Sequence, residues 1–201
     1  MIDNFEQIKS LLRFDSTDDF YFLQIIKRKK EHPDMPKSVK VVTTFYIPSI
    51  TKLEELTEEI IHMCEYHGAR AYINLNKRSF EKIAFQMLKQ VTDCILSKDY
   101  AYIRKSYNTV CGRFSNEDKD TKTWIIDVDT KDESFYGPLK KELELIEPVG
   151  EKVIAKIDTK NGYHIIAKPF NKNKFAYLFN AWAVIPKPEI HTNNPTILYI
   201  P

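Results

Sequence analysis

One stretch decides the fold of this chain: Thr123-Trp124-Ile125-Ile126-Asp127-Val128-Asp129. Its apolar start and alternating end are typical of a β-strand that turns polar as it leaves the core. Because successive strand side chains point to opposite faces, we expect Asp127 and Asp129 to share one face and Val128 to be buried on the other. Two neighbouring carboxylates repel each other, and a divalent cation removes that repulsion. The pair therefore predicts a Mg²⁺ or Mn²⁺ site.

A predicted β-hairpin over residues 152–167 offers a partner for the aspartate pair. Asn161 and Gly162 lie at its turn, and Asn-Gly is a strong hairpin signal. The turn also carries Lys160, and the strand after it presents His164. Basic side chains beside open backbone amides bind phosphate. We therefore predict that Lys160, Asn161, Gly162 and His164 form a phosphate-binding site.

Asp-x-Asp at the end of an apolar strand, followed on a later strand by small-x-His, resembles the catalytic core of the archaeo-eukaryotic primase (primase-polymerase) superfamily. The resemblance covers roughly residues 70–200 and implies an RRM-like module. It implies that Asp127 and Asp129 bind the catalytic metals. It also implies that Gly162-Tyr163-His164 is the small-x-His motif, with His164 on the phosphates of a nucleoside triphosphate. The implied activity is nucleotidyl transfer on a nucleic-acid template, with Asp127, Asp129 and His164 as catalytic residues.

The third acidic residue of that family is the point at which the chain departs from the pattern. Only one acid follows His164, namely Glu189, and it lies in a proline-rich stretch that we read as a loop. If Glu189 completes the metal shell, the resemblance implies a working polymerase. If it does not, the chain is expected to be a catalytically inactive nucleic-acid-binding or replication-accessory domain.

The predicted elements define an α+β fold with an RRM-like mixed or antiparallel sheet flanked by helices. A helix is expected to run to about Lys30, before the prolines Pro33 and Pro36. The expected organisation is an N-terminal helical segment (1–36) and a primase-like catalytic domain (37–201). That domain divides into a strand–helix–strand unit (37–78), a helical insertion (79–120) and the metal and phosphate module (121–201).

Basic and aromatic residues near the end of the predicted strand at residues 70–75 are candidates for nucleic-acid contacts. They are Arg70, Tyr72, Lys77 and Arg78. A half-buried strand with a solvated loop is the alternative interpretation. The basic run at residues 27–30 is likewise typical of a solvated surface.

Composition limits the remaining possibilities. The 201 residues include 30 basic and 28 acidic side chains, so the net charge of +2 neither requires nor excludes a local basic groove. Three cysteines without a CxxC pair indicate free thiols and a cytoplasmic location. No stretch approaches the roughly 20 apolar residues of a membrane span. A module of this length is expected to need a protein partner in replication for template binding.

A phosphatase of the haloacid dehalogenase type is the third possibility, since Asp127-Val128-Asp129-Thr130 fits the start of its motif, with the first aspartate as nucleophile. The glycine that usually follows the pair is missing. In addition, only 72 residues follow Asp129, too few for a doubly wound sheet. Walker-type loops, HExxH and Gly-x-Ser-x-Gly are absent from the sequence, which leaves no support for other common hydrolases.

Overall fold

The structure is a computed structural model that describes residues 1–115, 121–181 and 187–201. Its fold class is α+β, as predicted. The elements are, in chain order, β1 (Ile2–Asp3), α1 (Phe5–Leu11), β2 (Asp19–Arg28), β3 (Val39–Ile47), α2 (Ile50–His67), β4 (Arg70–Ile73), β5 (Arg78–Ser79), α3 (Phe80–Leu96), α4 (Tyr100–Ile103), α5 (Ser106–Arg113), β6 (Trp124–Val128), a 3₁₀ turn (Glu133–Phe135), α6 (Tyr136–Leu145), β7 (Val153–Asp158), β8 (Tyr163–Ala167), α7 (Lys172–Ala181), β9 (Glu189–His191) and β10 (Thr196–Ile200).

The first sheet has the strand order β1-β10-β4-β2-β3, with β5 paired to β2, and each of these pairs is antiparallel. The predicted strand–helix–strand unit is present as β3-α2-β4, but β2 lies between its two strands. Helix α2 begins at the Ser49 cap, whose side chain accepts a hydrogen bond from the Lys52 amide, and ends at Gly68 in the left-handed conformation.

The expectation of a helical segment over residues 1–36 is wrong, because residues 19–28 form β2 in the middle of this sheet. Leu23 and Ile25 face the core beneath α2, while Phe20 and Phe22 face a second cluster with α3 and α5. A strand that is buried on both faces carries a continuous apolar run, which lacks the period-2 pattern. That run fits a helical periodicity equally well. The predicted boundary at residue 36 therefore does not divide two domains, because β2 before it and β3 after it are paired in one sheet.

The second sheet has the order β7-β8-β6-β9 and is antiparallel throughout the described strands. Its chain order, β6-α6-β7-β8-α7-β9, gives the split βαβ arrangement expected of an RRM-like module. Leu139 of α6 and Phe175 of α7 share one cluster with Ile126 and Val128, so both helices cover the same face. The sequence after Pro169 predicts a short helix from about Phe175 to Trp182, and this helix corresponds to α7, although Trp182 itself lies outside the described residues.

The helix-free face of the second sheet packs against the first sheet. Ile125, Ile157 and Ile166 belong to the same core cluster as the residues under α2. Two side chains near the N-terminus add hydrogen bonds across this junction: Asn4 Nδ2 donates to the Asp158 carbonyl at 3.0 Å, and Gln7 Nε2 to the Lys156 carbonyl at 2.6 Å. Polar side chains on this face of β6 therefore lie where the two sheets meet.

Among the helices within the described ranges, none combines the length and the apolar character needed to cross a bilayer.

The turn between β7 and β8 is fixed by a close backbone approach at Gly162. A Cβ atom at this position would lie 1.9 Å from the Val128 carbonyl oxygen and 2.7 Å from the Thr130 amide nitrogen. The Thr159 amide also donates to the Gly162 carbonyl at 2.9 Å, which closes the turn. The absence of a side chain at Gly162 therefore lets the phosphate-binding candidates rest against the end of β6.

We expect Gly162→Ala to lower the free energy of unfolding by about 2 kcal/mol, because the added methyl group meets immobile backbone. Gly112→Ala is the matched control: it lies in α5, has nothing within 4 Å of the added Cβ, and should gain about 0.5–1 kcal/mol from helix propensity. Urea unfolding measures both variants. Equal stability of the two would contradict the close approach at Gly162.

Candidate functional site

Asp127 is the centre of the site because the register of three strands places polar residues on both sides of it. Its Cα pairs with that of His164 on β8 and with that of Glu189 on β9. Directly opposed residues on antiparallel strands project to the same face. Asp129 follows just after β6 and is exposed, whereas Asp127 is half-buried. Both aspartates line one cavity of about 430 Å³ between the sheets.

His164 is held by a hydrogen-bond partner from the first sheet. Its Nδ1 lies 2.8 Å from Thr196 Oγ1, and its Nε2 lies 3.6 Å from Asp127 Oδ1. Burial lowers the pKa of His164 to about 4, and the nearby His191 adds to this effect. The imidazole is therefore neutral at physiological pH. If the Thr196 hydroxyl donates to Nδ1, Nε2–H remains as a neutral donor towards Asp127 and the cavity.

Asp127 is a carboxylate in an unfavourable environment. Burial raises the pKa of Asp127, and the negative charge of Asp129 raises it further. His191 and Arg28 act in the opposite direction. Since burial and a like charge both disfavour the ionised form, a bound cation would relieve the cost of keeping Asp127 charged.

The expectation that Glu189 lies in a loop is wrong, because this residue belongs to the strand β9. Glu189 begins β9 directly across from Asp127, although its side chain is 76% exposed. His191, two residues further on, was missed in the sequence. Its Nε2 lies 4.0 Å from Asp127 Oδ2 and 3.9 Å from Glu189 Oε2. The only local signal was the alternation of Glu189-Ile190-His191, which the neighbouring prolines obscured.

Four cations also line the cavity, and we call this part of its lining the basic wall. They are Arg28 at the end of β2, Lys30 shortly after it, Arg70 from β4, and Lys160 from the hairpin turn. The basic run interpreted from the sequence as a solvated surface thus contributes two of these four cations.

The basic wall contains one acid, Glu31, which positions two of its cations. Arg70 forms an ion pair with Glu31, and Lys160 Nζ lies 4.0 Å from the same carboxylate. Arg70 Nε is buried, and none of the residues that the structure describes offers it a hydrogen-bond partner. A buried unsatisfied donor is costly, so an anion or water in the cavity would stabilise this wall.

The predicted nucleic-acid contacts separate into two groups. Arg70 and Tyr72 line the cavity, as do Lys160 and Asn161 among the predicted phosphate contacts. Lys77 does not, because its ammonium is held by Asp15 at 2.6 Å and Asp19 at 2.8 Å. Arg78 is fully buried.

The prediction that Arg78 contacts nucleic acid is wrong, because its guanidinium forms hydrogen bonds inside the fold. Its Nε donates to the Cys111 carbonyl at 2.9 Å, and its Nη1 donates to the Asn76 carbonyl. A buried guanidinium is tolerated when carbonyl oxygens accept its hydrogens. Arg78 therefore ties β5 to α5.

The donor set fits a metal ion that keeps most of its coordination positions for water and substrate. Within the described ranges, no three His, Cys, Asp or Glu side chains are placed to form a metal site by themselves. Mg²⁺ is commonly held by one or two carboxylates together with substrate phosphates. Asp127 and Asp129, beside a basic wall, match that pattern better than a closed structural metal centre.

Comparison of the chain with models of known protein families, with curated proteins and with solved structures finds no match. The phosphatase alternative can nevertheless be weighed against the fold. A doubly wound fold places its functional residues at the carboxyl ends of parallel strands. Both described neighbours of β6 are antiparallel to it, which does not favour that alternative.

We expect the free energy of unfolding to fall between about pH 6.5 and pH 4 because of His164. In this window the unfolded chain binds a proton at this imidazole and the folded chain does not, so stability falls as the pH falls. The full contribution is on the order of 3 kcal/mol.

Chemical denaturation of wild type and His164→Gln across this range measures the free energy of unfolding with and without the imidazole. The comparison is needed because the raised pKa of Asp127 gives a pH dependence of opposite sign. His62→Gln, on the exposed face of α2, is the control. If the free energies of unfolding of wild type and His164→Gln depend on pH in the same way, the prediction that His164 is buried as a neutral imidazole is refuted.

Proposed function

We propose that the chain is a primase-polymerase-like nucleotidyl transferase that uses a divalent metal and nucleoside triphosphates on a nucleic-acid strand. One observation carries the proposal: the β6–β8 register sets Asp127 against His164 in the cavity that Asp129 also lines. The same cavity is also lined by Arg28, among other cations. Acidic side chains for a metal and basic side chains for phosphates are therefore present in one cavity.

The size and charge of the cavity support a nucleoside triphosphate as ligand. Its volume of about 430 Å³ falls within the range of roughly 300–1,000 Å³ that is typical of small-molecule sites. Lys160, Arg28 and Lys30 can bind phosphate oxygens directly, and the Arg70 guanidinium adds positive charge beside them. The neutral Nε2–H of His164 adds a donor whose presence does not require an imidazolium.

In this proposal, a 3′-hydroxyl oxygen attacks the α-phosphorus and its proton passes to solvent, while the bond from that phosphorus to the bridging oxygen breaks and pyrophosphate leaves. A Mg²⁺ or Mn²⁺ ion, when bound, neutralises charge on the reacting phosphate. Asp127 and Asp129 hold the ion, while the basic wall binds the leaving pyrophosphate. Fixed charges of this kind stabilise the charge that develops in the transition state.

Glu189 is the proposed third acid. It lies directly across β6 from Asp127, and its negative charge is among those that raise the pKa of Asp127. Its exposed carboxylate is free to turn towards a bound ion. The three buried free cysteines Cys64, Cys94 and Cys111 agree with the reducing cytoplasm in which such an enzyme would work.

We expect Asp127→Asn/Asp129→Asn to weaken binding of Mn²⁺–nucleotide by about tenfold or more, since each charge-assisted contact contributes about 1.5–3 kcal/mol. Primer extension should fall at least about a hundredfold. Isothermal titration and extension of a labelled primer measure the two effects. The control is Asp93→Asn/Asp99→Asn, which removes two exposed carboxylates of the α3–α4 region.

Three other outcomes separate the remaining functions. Unchanged Mn²⁺–nucleotide affinity in the Asp127/Asp129 variant would overturn the site. Nucleotide binding by wild type without extension would move the protein to the replication-accessory class. Release of phosphate from a simple monoester, abolished by Asp127→Asn alone, would instead favour the phosphatase hypothesis.

A further inference from the structure

A second groove lies on the first sheet, outside the site described above. It has a volume of about 540 Å³ and is formed by the segment before β3, by β3 itself and by the junction of α4 and α5. Four of its lining residues are cations, namely Lys37, Lys40, Arg104 and Lys105, and its lining includes no carboxylate. The residues that line this basic groove therefore favour binding of an anion.

The cations of the basic groove are not used inside the fold. All four side chains are exposed, and within the parts of the chain that the structure describes none of them forms an ion pair. Lys40 is also the direct cross-strand partner of Lys27. Like charges opposed across two strands repel each other, which adds to the positive potential at this edge of the sheet. Since the net charge of the whole chain is only +2, this concentration of unpaired positive charge is local.

The basic groove lies next to the cavity that holds Asp127. Gln24 lines the groove, and Tyr72 lines the cavity. The two residues are Cα partners on β2 and β4, so their side chains lie next to each other on one face of the sheet. The Tyr72 hydroxyl accepts a hydrogen bond from Arg28 at 3.4 Å, which extends the basic surface into the cavity. An extended ligand can thus contact the basic groove and the cavity at the same time.

The surface between the cations suits unpaired bases. Val39 and Val41 are 46% and 44% exposed and form an apolar floor on β3, and Tyr72 offers an aromatic ring where groove and cavity meet. Proteins bind single strands by tracking the backbone with cations and packing bases on apolar and aromatic side chains. The base faces of a duplex are stacked and cannot make these contacts.

We propose that the basic groove binds a single-stranded nucleic acid and leads it across Gln24 and Tyr72 to the cavity at Asp127. The proposal rests on the proposed function, for which this strand would be the template or primer. It assigns nucleic-acid contact to Lys37, Lys40, Arg104 and Lys105.

The test is fluorescence anisotropy with labelled single-stranded DNA and RNA, using the full chain and Lys40→Ala/Arg104→Ala/Lys105→Ala. We expect the variant to bind at least about tenfold more weakly, and the slope of log affinity against log salt to fall by about 2 for three lost contacts. The control Lys82→Ala/Lys89→Ala/Lys141→Ala removes the same charge from exposed positions on α3 and α6. It should bind as wild type does.

Three results would overturn the groove. They are no binding of single strands by wild type, equal losses in the variant and its control, and equal competition by polyglutamate of the same charge. Titration with Mn²⁺–nucleotide is run on the same variant, and its affinity should be unchanged. Loss of strand binding in a protein that binds no nucleotide would uphold the groove while refuting the nucleotidyl transferase.

Discussion

The register between β6 and β8 is the constraint on which the rest of the structure depends. It sends Ile126 and Val128 into the core under α6 and α7, and it leaves Ile125 and Asp127 on the face that meets the first sheet. A shift of one residue would exchange these faces and put a carboxylate among the phenylalanines under α6 and α7. Because both faces of β6 are specified, the hydrophobic core and the position of Asp127 are decided by the same pairing.

The part of the site that local sequence patterns could predict is the part built from one strand and one hairpin. Asp127 and Asp129 follow from strand alternation, and Lys160 and His164 follow from the Asn-Gly turn. The structure brings all four to one cavity. Their chemical roles remain predictions.

The residues that were missed all depend on pairings between distant parts of the chain. Arg28 and Lys30 reach the cavity only because β2 is a central strand, and the apolar run of β2 is equally compatible with a helix. His191 reaches Asp127 through a three-residue strand that follows two prolines. In the opposite direction, Arg78 has the composition of a nucleic-acid contact but is buried against Cys111. Basic residue type predicts contact with phosphate only where the side chain is accessible.

The placement of β10 has a consequence for the order in which the protein can be completed during synthesis. This strand lies between β1 and β4, and its Thr196 is the partner of the His164 ring. The ribosome must therefore release residues 196–200 before β1, near the start of the chain, acquires its neighbour. Until then the edge of β4 is open and the His164 ring has no hydroxyl to orient it. The site is therefore complete only once residues 196–200 have left the ribosome, so shorter nascent chains are expected to lack an oriented His164.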